Sequence, residues 1–426
     1  MRRARGTCVI FMGILSRLRV GQYKQLVVSM SLATVVLVML LQLVVSNFVP
    51  SESNAQHFTD LARSFLRGQT YFSKPPLPLG HDVAIFNGHV YWPLGPFPAV
   101  MSAPFVYLAD LFNVTFREGY LEFVVVLIIL YLTYRLAKLT GYQTHDALFL
   151  AGTLFSSTLF FYTWAPISSY LSHTVVVAIW LAALVEYVGN RRYWLIGLLV
   201  GCALATRVPA GLGIAFFCLI LIFDKSLLAR LRAFKLIELL IPYFTILASI
   251  AVYNYCRFGN LFEQGYSYQI VDSAMKQARD YGLFGLVHLP GNLYYLFLAA
   301  PIPVFRDGIS HVLAFPFISF DPWGLSIFVT APYLGYLFFV KYNDLESRSL
   351  LVSTALILLP ILLYYGIGHW QFGYRYAFDA MPLVFWLLLR QYRAQHDHLS
   401  FKFKMIVLTS ACLNFYLAAT YQLVYK

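Results

Sequence analysis

Charge is scarce in this chain. Lys, Arg, Asp and Glu make up 12% of its 426 residues, about half the share of an ordinary soluble domain, near 25%. Acids are scarcer than bases, 19 against 31. The five cysteines (Cys8, Cys202, Cys218, Cys256 and Cys412) are scattered. None forms a spaced pair in a loop, which argues against a disulfide framework and against a cysteine zinc site. Of the ten histidines, those expected outside (positions 57, 81, 89, 173, 288, 311 and 369) show no H-x-x-H or D-x-D spacing, so neither a metal nor another cofactor is expected. Internal repeats and low-complexity tracts are also lacking. What abounds is apolar: 60% of residues are hydrophobic, with 37 Phe and 31 Tyr. The apolar residues run in blocks of about 20, the length that crosses roughly 30 Å of hydrocarbon as helix. A soluble domain is excluded, and the expected fold is an all-α polytopic membrane protein.

The net charge of +12 is placed so as to orient the chain. Most basic residues sit in short connectors: Arg2, Arg3, Arg5, Arg17, Arg19 and Lys24, then Arg135/Lys138, Arg191/Arg192, the 225–235 cluster, Lys341/Arg348, and Arg390 to Lys404. All fall on one side if the connectors alternate, which is the positive-inside pattern. The charge therefore reports topology and gives no evidence for nucleic acid. Hydropathy predicts about eleven spans, near 26–48, 119–138, 145–165, 170–189, 195–206, 209–223, 236–256, 325–340, 350–369, 374–390 and 405–423. This puts the N-terminus in the cytoplasm and the C-terminus outside an inner (plasma) membrane. Residues 1–426 form one membrane-embedded domain, with a basic cytoplasmic tail over 1–25 and two large external loops, 49–118 and 257–324. Loops this long usually carry function.

Within 195–223 the run Thr206-Arg207-Val208-Pro209 breaks the helix into a hairpin and leaves Arg207 at membrane depth. Two readings stand: the side chain snorkels to the interface, or it faces an anionic ligand in a cavity. In the first loop, Ser53 and Gln56 match a capping box. The apolar residues Phe58, Leu61, Ala62, Phe65 and Leu66 recur at helical spacing, so an amphipathic surface helix is expected up to Gly68. Asn87-Gly88 signals a tight turn, and a second surface helix is expected from about Pro98 to Phe112.

The layout of a first span followed by a loop with two surface helices resembles the GT-C class of polyprenyl-phosphate-dependent glycosyltransferases, related to the protein mannosyltransferases and aminoarabinose transferases. His57 to Gly68 is similar to their loop helix. Asp82 to Pro98 resembles the class signature D-x-(A/S)-x-(F/Y)-x-G-x-x-Y-x-x-x-G-P-x-P-A, and Arg375-Tyr376 resembles an R-Y pair that members carry. The run Arg257-Phe258-Gly259-Asn260 is similar to members as well. One departure stands out: Asn54 and Ala55 occupy the place where members carry an Asp-Glu pair.

The resemblance implies inverting transfer of a sugar from a polyprenyl-phosphate carrier to an acceptor (glycan, lipid or protein) at the external face. Such transfer needs a carboxylate base and cationic groups for the leaving phosphate. Asp82 and Glu52 compete for the base, and the alternative for Asp82 is a turn-capping role. Arg207, Arg257 and Arg375 are the phosphate candidates, with Tyr376, His57, His173 and Tyr91 as further substrate-binding residues. Arg375 has a second reading, an ion pair with Asp379 one turn on, and Arg257 that of an interfacial anchor. Two other function classes remain open: a transporter or lipid flippase, and a non-catalytic scaffold with the same fold.

Overall fold

The computed structural model describes residues 20–48, 56–74, 82–164, 167–224, 228–369 and 371–424. Glu52, Ser53, His81 and most of the basic tail lie outside the described residues.

The chain is a multi-pass helical membrane protein. Seven of its described helices are long and apolar enough to cross a membrane. They are α1 (Val20–Phe48), α4 (Glu118–Leu139), α5 (Thr144–Trp164), α6 (Ser168–Val188), α9 (Ala229–Phe258), α12 (Leu345–Leu363) and α14 (Phe401–Val424). Between them run α2 (His57–Leu66), α3 (Phe97–Leu111), the hairpin arms α7 (Tyr193–Thr206) and α8 (Val208–Phe223), the loop helices α10 (Ser273–Arg279) and α11 (Leu289–Phe297), and α13 (Met381–Gln395). Two small antiparallel hairpins complete the chain: β1 (Ala84–Phe86) with β2 (His89–Tyr91), and β3 (Ile302–Phe305) with β4 (Leu313–Ser319). Helix α6 sits at the centre, buried on nearly every face. Helix α9 buries few of its residues and leaves Phe234, Ile241 and Val252 exposed, as expected of an apolar helix whose solvent is lipid.

One expected span is not a regular helix. Residues 325–340 form a single helical turn, Ile327–Thr330, and a 3₁₀ stretch, Pro332–Phe339. Ala331 between them leaves helical geometry (φ −143°, ψ 61°), and Pro332 has no N–H to continue the ladder. Eight residues of 3₁₀ rise only ~16 Å, too little to cross on their own. The expected span 374–390 likewise starts late, at Met381, after a 3₁₀ turn over Arg375–Asp379.

Helix α2 begins at His57, and Gln56 in the cap position makes no side-chain capping bond. A distant carboxylate does that work. Glu118 Oε1 accepts from the N–H groups of Phe58 (2.7 Å) and Thr59 (3.2 Å) and from the Ser168 hydroxyl (3.1 Å). The Gln56 side-chain oxygen in turn accepts from Glu118 N–H at 2.7 Å, and Ser168 Oγ accepts from His57 N–H at 2.9 Å. The N-termini of α2, α4 and α6 thus meet at one buried acid.

Candidate functional site

The Asp82–Pro98 segment builds one wall of a cavity. Asn87 (φ 48°) and Gly88 (φ 78°) turn the β1–β2 hairpin, the backbone that an Asn-Gly type I′ turn requires. Past the hairpin, Gly95 packs on the C-terminal end of α7. A Cβ on Gly95 would lie 2.2 Å from the Ala205 carbonyl oxygen, so only glycine allows this approach. The segment is thereby locked beside Arg207, the residue that follows α7.

A second wall comes from α5 and the loop before α13. Residues Phe155–Leu159 open α5 into a π-bulge rich in hydroxyls, and Ser157 Oγ donates to Leu154 O at 2.6 Å. The bulge admits the 371–374 turn: a Cβ on Gly373 would meet Thr158 Cγ2 at 2.5 Å, and Tyr162 Oη donates to Phe372 O at 2.5 Å. That turn delivers Arg375 and Tyr376. The second long loop supplies the roof. Asp82 N–H donates to Ile270 O (2.9 Å) and Ile270 N–H donates to Val83 O (2.8 Å), stitching two segments nearly 190 residues apart.

These walls enclose a cavity of about 750 Å³. Asp82, Arg207, Arg257, Arg375, Tyr376 and His173 all line it. Two further predicted residues sit behind the wall. The His57 ring stacks on Trp92 (centroids 4.1 Å apart, 6° between planes), while Tyr91 packs on Phe258. Burial pushes the His57 imidazole down to about 4.

The three arginines are not alike. Arg207 Nε donates to Asp379 Oδ1 at 2.7 Å, and His173 Nδ1 lies 3.6 Å from the same oxygen. Arg207 therefore neither snorkels nor offers an unneutralised charge. The expected Arg375–Asp379 pair does not form. In the 3₁₀ turn over 375–379 residues three apart eclipse, so positions four apart point in different directions. Asp379, unassigned in the sequence beyond that pairing, is the counter-ion of Arg207.

Arg257 and Arg375 have no carboxylate at ion-pair distance among the described residues. Arg257 is 4% exposed. It donates through Nη1 to Trp92 O (2.9 Å) and through Nη2 to Asn254 Oδ1 (2.7 Å), with the Tyr253 ring 4.0 Å away. Arg375 Nη2 donates to Tyr376 Oη at 3.3 Å, and its guanidinium lies over the Tyr376 and Tyr170 rings at 5.1 and 5.7 Å. The Nε atoms of both are buried without an acceptor among the described residues.

Asp82 is exposed to the cavity and adopts a left-handed backbone (φ 74°). A non-glycine residue held there is strained, a feature that concentrates at functional sites. Its Oδ1 accepts from Gln269 Nε2 at 3.2 Å. Gln269, Asp272, His369 and the tyrosines at 266, 364 and 365 line the cavity as well. They come from two separate connections, 266–272 and 364–369, which sequence spacing does not bring together. Apolar side chains of α8, α9 and α12 (Val208, Leu212, Ile250, Ile361) complete the lining.

The fold and the cavity define a multi-pass helical membrane protein with an arginine-rich internal site. No protein-family model and no curated protein matches the chain. Solved structures do. The apo form of the Archaeoglobus fulgidus oligosaccharyltransferase matches with a TM-score of 0.47 at 13% identity, over 92% of this chain and 56% of that one. The same enzyme tethered to an acceptor peptide containing the NVT sequon gives 0.42 at 14%, over 92% and 55%. Archaeal oligosaccharyltransferase AglB in complex with an inhibitory peptide and a dolichol-phosphate gives 0.41 at 14%, again over 92% and 55%. The chain spans just over half the length of these structures.

Proposed function

We propose that this protein is a glycosyltransferase that moves a sugar from a polyprenyl-phosphate carrier to an acceptor on the external face of the membrane. One observation carries the reading: Arg257 and Arg375 open on the same cavity as Asp82, and neither has a carboxylate partner among the described residues. An unneutralised guanidinium in a low-dielectric site is costly. A phosphate is the ligand whose geometry matches such donors and repays that cost.

The geometry supports a division of labour. Arg257 and Arg375 hold the carrier phosphate and take up the charge that develops as it leaves. The apolar lining from α8, α9 and α12 receives the first isoprenes. Asp82, at the loop junction, accepts the proton of the attacking hydroxyl, with Gln269 fixing the orientation of its carboxylate. Arg207, neutralised by Asp379, shapes the wall and carries Tyr376 against its guanidinium at 5.3 Å. No metal is required in this scheme.

The test uses protein in lipid nanodiscs with radiolabelled polyprenyl-phosphate hexoses. Arg257→Gln and Arg375→Gln should each weaken polyprenyl-phosphate binding at least about tenfold, one charge-assisted hydrogen bond's worth. Asp82→Asn should retain binding and lose transfer. Loss of transfer in Glu52→Gln alone would keep the enzyme and move the base. Wild-type binding that is insensitive to both arginine changes would sink the reading. Carrier lipid moved between leaflets without sugar transfer would point to a flippase.

A further inference from the structure

The cavity has a second polar cluster that phosphate binding and proton abstraction leave unused. His369 Nδ1 lies 3.2 Å from Asp272 Oδ2, and both residues line the cavity. Asp272 is fixed in place. Its other carboxylate oxygen, Oδ1, accepts from Met275 N–H at 2.8 Å as the N-cap of α10. Burial by itself would raise its carboxyl, but the Met275 N–H and the His369 ring outweigh this and hold it below its usual range. The His369 ring is held from the other side by the Trp323 indole, with centroids 4.8 Å apart. Tyr266, Tyr364 and Tyr376 line the same cavity. The Tyr364 ring contacts the other two edge-on, at 6.1 and 6.4 Å. Burial pushes the Tyr266 hydroxyl up to about 12, against the opposing pull of Arg207, so it stays a neutral donor at physiological pH.

An ionised carboxylate, an imidazole and several phenol rings lining one cavity suit a polyhydroxylated ligand with apolar faces. Hydroxyls bond to the carboxylate and the ring nitrogen, and the C–H face packs on aromatics. A peptide acceptor laid along a strand edge needs unpaired backbone groups. The strand-like edges here are already paired. Asp82 N–H and Ile270 N–H bond across one junction (2.9 and 2.8 Å), and Gly285 N–H and Tyr365 N–H donate to Leu363 O and Leu283 O across the other (2.9 and 3.1 Å).

We infer that Asp272, His369 and the Tyr266–Tyr364–Tyr376 wall form the acceptor subsite, and that the acceptor is a carbohydrate presenting a hexopyranose ring there. This assignment rests on the glycosyl-transfer reading for its word acceptor, but the sugar subsite itself is separately measurable.

Methyl gluco-, galacto- and mannopyranosides are the probes, titrated into nanodisc-held protein by saturation-transfer NMR. Parallel titrations use short peptides containing Asn, Ser or Thr, and polyprenyl phosphate. The variants are Asp272→Asn, which keeps the helix cap because Asn caps as well as Asp, and His369→Gln. The expected result is millimolar binding of at least one hexoside to wild type. It should weaken about tenfold or more in both variants, with polyprenyl-phosphate binding unchanged and with KM for a sugar acceptor rising while kcat is held. Hexoside binding unaffected by both changes would overturn the subsite, as would no hexoside binding at all. Peptide binding that these changes weaken would replace the carbohydrate by a peptide. Failure of polyprenyl phosphate to bind, with hexosides still bound through Asp272, would instead strike at the transferase reading and leave a sugar site behind.

Discussion

A cation buried in an apolar wall must be neutralised by the protein or by what the protein binds. Arg207 follows the first course, whereas Arg257 and Arg375 have no carboxylate partner among the described residues, and the difference comes down to Asp379. Its carboxylate is fully buried, with Arg207 Nε at 2.7 Å and His173 at 3.6 Å. Removing it leaves an uncompensated buried charge, so Asp379→Ala should destabilise the folded protein by about 3–5 kcal/mol. Replacing the pair together, Arg207→Met with Asp379→Leu, should recover most of that loss, because two apolar residues need no neutralisation. Thermal unfolding in detergent reads both. If the double change is as unstable as the single one, the pair is not the source of the effect.

Helix α2 shows how an element is fixed by contacts far away in the chain. Its N-terminus is capped by Glu118, and its first residue stacks on Trp92, whose carbonyl in turn receives Arg257. His57 thus ties the helix to the cavity wall without entering it. Its imidazole is 6% exposed and pushed down to about 4. The sign follows from which form takes up the proton. Below about 6.5 the undocked helix binds a proton that the docked helix refuses. The stabilisation is therefore complete above that pH and is lost as pH falls toward 4, by ~3 kcal/mol at most. Hydrogen exchange of the α2 amides at pH 7.5, 5.5 and 4.5 should quicken as the pH falls, relative to other helices. In His57→Gln this extra pH dependence should vanish, and its persistence there would place its origin in another group.

At the scale of the whole molecule, the cavity exists because two long loops meet over the helix ends. The junction is two backbone hydrogen bonds, and it sets where Asp82 stands relative to the arginines. Ile270→Pro removes the N–H that bonds Val83 O at 2.8 Å. Gln269 before it is already extended (ψ 134°), the backbone a following proline favours. We expect folding to survive and the transfer rate to drop by about tenfold, since a misplaced base loses reactive geometry quickly. Transfer kinetics beside a melting curve would show this; an unchanged rate would mean that the junction does not position the base.

Much of this architecture was legible from one-dimensional pattern. Blocks of about 20 apolar residues locate the seven long helices, because in lipid each crossing must satisfy its own backbone. Asn87-Gly88 locates the hairpin. What pattern could not supply is pairing across distance. Arg207 is neutralised by an aspartate 172 residues away, α2 is capped by a glutamate 60 residues on, and Asp272 meets His369 across 97 residues. Periodicity reports only which face of one element is apolar. It does not say which elements face each other, and it misleads where a helix departs from 3.6 residues per turn, as at 332–339 and 375–379. The sequence by itself determined a membrane-embedded helical chain with an acid and three arginines in or beside its loops. Only tertiary structure decided which of those arginines has a carboxylate partner and which has none among the described residues, because that depends on distances of a few ångströms between segments with no local connection.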